Sequence, residues 1–141
     1  MSANGSGSTS ALAALIAAAS AARANAYAPY SGFAVGAAIR DGVGALHAGA
    51  NVENAAYPQG QCAEASAIGA MIAAGGKRIA EMVVLADGEA LCTPCGGCRQ
   101  RIREFADPET RIHLCGPDGL RRTVTIGELL PLSFGPENLP S

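Results

Sequence analysis

The chain has 141 residues, room for one domain with a buried core. Apolar residues make up 49% and charged residues 16%, a balance that excludes a disordered tail. The formal net charge is −2, so no excess of Lys and Arg is present to neutralise a nucleic-acid strand.

Residues 1–10 are rich in Ser, Gly and Asn and are predicted to fray, leaving 11–141 as a single domain. Residues 11–26 are strong helix formers with Leu12, Ile16 and Ala19 at helical spacing, and Pro29 stops them. This Ala-rich start imitates a secretory leader, but no Lys or Arg precedes it, so the basic n-region is missing. A cytoplasmic location is expected. No apolar run reaches the roughly 18–20 residues of a membrane span. Residues 33–40 and 43–50 are short apolar segments joined by Asp41-Gly42, a hairpin signal. A turn-rich loop with Pro58 and Gly60 covers 51–61.

Residues 62–75 are predicted to form a helix with Ile68, Met71 and Ile72 on one face, ended by Gly75-Gly76. Residues 80–86 hold Met82-Val83-Val84-Leu85, a run typical of a strand buried on both faces. Pro94 precedes a second helix over 96–106. Residues 111–115 and 121–125 flank Gly116-Pro117-Asp118-Gly119 as a closing hairpin. Thr125 and Glu128 have capping-box spacing for a short last helix, which Pro131 ends. Strands alternating with helices imply an α/β sheet covered by helices on both faces, and the two hairpins make it mixed. In such sheets the ligand crevice lies beyond the carboxyl ends of the strands.

Five cysteines stand at 62, 92, 95, 98 and 115. An odd count with three in seven residues favours a reducing compartment and a thiolate metal site over a disulfide scaffold. Cys95 and Cys98 open a helix three residues apart, so both sulfurs share a face. Cys62 opens the other helix. Three thiolates suit a soft or borderline ion such as Zn²⁺, and two helix N-termini offset part of their charge. Glu64, in the first turn after Cys62, projects over the ion's open position, where a carboxylate takes a proton from water. Other readings stay open at this point. A fourth thiolate would close the site as structural zinc. Cys92, Cys95 and Cys98 begin like a ferredoxin run, but Ile102 stands where the fourth ligand belongs. A redox pair at Cys95 and Cys98 leaves Cys62-Ala63-Glu64 unused. Cys92 and Cys115 read as inert buried thiols. His47 and His113, within predicted strands, read as packed or surface residues rather than ligands.

Cys62-Ala63-Glu64 followed by Pro94-Cys95-Gly96-Gly97-Cys98-Arg99-Gln100 resembles the zinc-dependent cytidine deaminases, in their small homotetrameric, all-cysteine form. The likeness runs from Tyr30-Ser31-Gly32-Phe33 through Asn51-Val52-Glu53-Asn54 to Phe134-Gly135-Pro136. It implies a three-layer α/β/α sandwich around a mixed five-stranded sheet, and one Zn²⁺ per subunit on Cys62, Cys95 and Cys98. It implies that Glu64 shuttles protons and that the Ala63 backbone meets the base. Asn51 and Glu53 are implied to hold the sugar hydroxyl. Phe33 and Phe134 are implied to flank the base, Phe134 and Tyr57 reaching across a subunit interface. The implied substrates are free cytidine and deoxycytidine in pyrimidine salvage. A deaminase of another aminopyrimidine nucleoside, such as blasticidin S, and a non-catalytic zinc-stabilised binding module are the alternatives. One departure stands out. Family members often carry Arg directly after the Glu, against the zinc thiolates, and here that position is Ala65. Arg99, directly after Cys98, is the residue expected to compensate the charge.

Overall fold

The structure, a computed structural model, describes residues 2–140. Helix α1 spans Ser2–Arg23. It begins well ahead of residue 11. Residues 2–10 lie within that span. For Met1 the expectation of fraying lies outside the described residues. Strands β1 (Val35–Asp41) and β2 (Leu46–Ala50) form the first hairpin. Its turn takes residues 42–45, so β2 starts later than hydropathy predicts. Asp41 Oδ1 accepts from the Val43 and Ala45 amides at 3.0 and 2.9 Å, and Gly44 takes a left-handed φ of 91°.

A 3-10 turn at Tyr57–Gln59 precedes α2 (Ala63–Ala73). Then come β3 (Ile79–Ala86), α3 (Gly96–Phe105), β4 (Arg111–Gly116), β5 (Gly119–Thr125) and α4 (Ile126–Leu129). The predicted capping box forms: Glu128 N donates to Thr125 Oγ1 at 3.1 Å, and Thr125 N to Glu128 Oε1 at 2.8 Å.

The five strands lie in the order β2-β1-β3-β4-β5. Only β3 and β4 run parallel, and every other neighbouring pair is antiparallel. Alternation along the strands divides the core in two. Ile39, Met82, Val84, Ile112 and Leu114 pack under α2 and α3 with Met71 and Ile102. Ala38, Val83, Leu85 and Cys115 pack on the other face with Leu15 and Ala19 of α1. Burial of Leu15, at 0% exposure, contributes on the order of 1.5–3 kcal/mol to seating that helix. The fold is the expected three-layer sandwich with a mixed sheet.

Register explains where the chemistry gathers. Gly36 pairs with Ala50 on one side and Leu85 on the other. Strands β2 and β3 therefore end at the same sheet edge, and the chain leaving each one enters α2 and α3 there.

Candidate metal centre and its cleft

Cys62 is the N-cap of α2 and Cys95 the N-cap of α3. Both have extended backbone, which turns each side chain back past its own helix start. Cys98 is the third residue of α3. The three sulfurs lie within 4.8 Å of one another. A tetrahedral ion with Zn–S near 2.3 Å needs its sulfurs about 3.8 Å apart, so the donor set and its spacing fit zinc. Among the described residues, no fourth His, Cys, Asp or Glu joins this group. A closed four-donor site and an iron–sulfur cluster are both disfavoured, and Ile102 sits in the core.

Burial is graded across the donors: Cys98 is fully buried, Cys62 half-buried and Cys95 exposed. Burial first, then the Glu64 charge, pushes the Cys98 thiol up. Burial also raises Cys62, while the Cys98 backbone N–H facing its sulfur holds Cys95 below the usual thiol range. Metal loading must therefore displace protons, most firmly held at Cys98.

Glu64 is the second residue of α2 and is 5% exposed. Burial lifts its carboxyl above the ordinary carboxylate range, against its own backbone N–H and the positive charge of Arg101. A carboxylate raised toward neutrality is suited to taking and returning protons.

The other predicted residues fall into two groups. Asn51 and Glu53 tie the loop after β2 to the segment before β1. Asn51 Nδ2 donates to Phe33 O at 2.8 Å, and Asn51 Oδ1 accepts from Val35 N at 2.9 Å. Glu53 Oε1 accepts from the Tyr30 and Ser31 amides, and its Oε2 from the Ser31 hydroxyl. These bonds hold Glu53 below its usual range. Together Tyr30, Ser31, Glu53, Asn54 and Tyr57 line a cavity of about 210 Å³. Phe33, Tyr57 and Phe134 present exposed rings, and Gln100 Nε2 anchors the Phe134 carbonyl to α3 at 2.9 Å. Ala63 packs in the core.

Arg99 is not on the sulfurs. Its guanidinium donates to Pro94 O at 2.7 Å, Leu129 O at 2.9 Å and Thr93 Oγ1 at 3.2 Å, so it braces the loop before α3. None of these three bonds reaches a cysteine sulfur. Arg101 Nη1 instead donates to Cys98 Sγ at 3.6 Å. Sequence reasoning missed Arg101, although its spacing of three from Cys98 within one helix was a usable signal. Cys115 packs against the α1 layer with its thiol raised by burial to about 11. His47 pairs with Asp41, and His113 lies between Thr123 and Glu81, so neither joins the metal group.

Three thiolates at two converging helix starts, with a buried carboxylate alongside, define a zinc hydrolase centre on an α/β/α sandwich. Residues 9–114 match the family model for the cytidine and deoxycytidylate deaminase zinc-binding region. A cytidine deaminase of Sporosarcina psychrophila is 39% identical over 125 residues, covering 89% of this chain and 92% of the relative. One from Mycobacterium tuberculosis H37Rv is 39% identical over 119 residues, covering 84% and 86%. Among solved structures, cytidine deaminase from Burkholderia pseudomallei superposes with a TM-score of 0.81 at 42% identity, covering 86% of this chain and 97% of that one. The Mycobacterium leprae enzyme does so at 0.71 and 44%, covering 84% and 95%. The chain belongs to the cytidine deaminase family.

Proposed function

We propose that this chain hydrolyses the exocyclic amine of cytidine and deoxycytidine, releasing ammonia and leaving uridine or deoxyuridine. The observation that carries the reading is the approach of the Cys62, Cys95 and Cys98 sulfurs to within 4.8 Å beside the buried Glu64. A zinc ion held by these three sulfurs would supply a Lewis acid able to bring the pKa of a water into the neutral range. Glu64 accepts a proton from the attacking water and delivers it to ring nitrogen N3 as a C–O bond forms at C4. Glu64 then carries the proton of the new C4 hydroxyl to the exocyclic nitrogen, the C4–N bond breaks as C4=O forms, and ammonia leaves. Burial of Glu64 supports both transfers by weakening its preference for the ionised form.

The sugar is held by the hydrogen-bonding capacity that Asn51 and Glu53 retain. A carboxylate offers about four acceptor sites, and Glu53 uses three of them within the chain. Phe33 and Phe134 stack on the base, and the Ala63 backbone meets its polar edge. The working molecule is a homotetramer with shared active sites, to which Tyr57 and Phe134 are contributed across interfaces. Of the six aromatic rings in the chain, Tyr27, Tyr30, Phe33, Tyr57 and Phe134 are all exposed in a single copy, which supports association. The substrate is a free nucleoside in pyrimidine salvage, and the setting is the cytoplasm. The net charge of −2 is in keeping with a small substrate rather than a strand.

The test is ammonia release and absorbance loss on incubation with cytidine. Glu64→Gln should lower kcat by about 10²–10⁴ while zinc content stays at one ion per chain. Wild-type turnover in that variant, or no ammonia from cytidine with the zinc-loaded wild type, overturns the reading.

A further inference from the structure

We propose that Arg101 is the cation that offsets the negative charge of the three-thiolate centre, a positioning residue acting through sulfur and not on substrate. The inference rests on the zinc reading of Cys62, Cys95 and Cys98 and starts from a charge count. Three thiolates around a divalent ion leave a net charge of −1, and an ionised Glu64 beside them adds another. Helix N-termini supply only partial positive charge, about half an elementary charge each. Cys98 has the greatest need, because it is the one ligand with no exposure and water cannot solvate it.

Arg101 meets that need by position. It lies three residues beyond Cys98 on α3, on the same helix face. Its Nη1 donates to Cys98 Sγ at 3.6 Å, within reach of a hydrogen bond to sulfur. The facing helix makes room: Ala65, Ile68 and Gly69 of α2 line one cavity with Arg101 and Gln100. Small side chains at 65 and 69 leave the slot for the guanidinium.

The neighbouring arginines of α3 are committed elsewhere. Arg99 donates to Pro94 O and Leu129 O, and Arg103 to the Ser133 hydroxyl and the Glu137 carboxylate. A guanidinium donating to a ligand sulfur stabilises the thiolate form, and such outer partners typically govern metal affinity by about 10–100-fold.

The experiment measures zinc affinity of the metal-free full chain at neutral pH, by competition with a chromophoric chelator and without substrate. Arg101→Met keeps the apolar stem and removes the charge. It should bind zinc about 10–100-fold more weakly while the circular dichroism of the metal-free chain stays that of wild type. Arg101→Lys, which keeps the charge, should bind close to wild type. Ala65→Arg placed in the Arg101→Met background returns a cation to the same slot and should recover affinity. Wild-type affinity in Arg101→Met, or equal weakness in Arg101→Lys, overturns the proposal. Because no nucleoside is present, a failed cytidine assay leaves this result intact, whereas a wild-type chain that binds no zinc removes both readings.

Discussion

Asp41 holds the first hairpin by three bonds: two from the Val43 and Ala45 amides and one with His47 Nε2 at 2.7 Å. The His47 bond is the main reason its carboxyl lies below an ordinary 3.8, with the two amides adding to it. A depressed carboxylate stabilises the folded chain at every pH above its unfolded value, and that contribution fades as pH falls through the folded one. Asp41→Asn should therefore lower Tm at neutral pH. In thermal melts the gap from wild type should narrow as pH drops below about 4. At this scale the zinc ligands were readable, because a Cys-x-x-Cys pair and a Cys-x-Glu each place donor atoms by local helix geometry alone. The engagement of Asn51 and Glu53 was not, since it depends on residues 30–35 being brought against 51–53 by the sheet. Nor was the division of labour between Arg99 and Arg101, because both are charged residues on one helix and only the loops around α3 decide which bonds each makes.

At the level of elements, helices approach the sheet backbone to backbone. A Cβ built on Gly36 would stand 2.0 Å from the Ala19 carbonyl oxygen, and one on Gly49 would stand 2.5 Å from the Ala67 nitrogen. Neither neighbour is a side chain that can swing aside. Gly36→Ala should cost about 3 kcal/mol or more, at the upper end of overpacking, and calorimetry of the purified variant checks it. Hairpins, the buried β3 run and the α4 capping box were visible in sequence because each is encoded within a few neighbouring residues. The first residue of β2 was not. The 42–45 turn claims apolar Val43 that hydropathy assigns to a strand.

On the scale of the whole molecule, only Phe105 among the aromatic rings packs against the core, and the remaining five face outward in one copy. Such an arrangement suits rings that complete a neighbour's cleft. Light scattering of the zinc-loaded protein should give the mass of four chains. Phe134→Ala and Glu64→Gln variants, each nearly inactive alone, should regain measurable cytidine turnover when unfolded together and refolded as a mixture. Mixed assemblies would contain clefts with an intact Glu64 from one chain and an intact Phe134 from another. No recovery on mixing would mean that each cleft is built within one chain.

Helices α2 and α3 both open on a cysteine, in contrast to α4 with its Thr125–Glu128 box. Both cysteines belong to the group able to hold a metal ion. An ion there would be a clasp as well as a reagent, fastening the two helix openings to each other. Stripping it with a chelator should speed amide hydrogen exchange at 63–66 and 96–99 first, while protection across β3 and β4 persists. The protein would lose its cutting edge before it lost its shape.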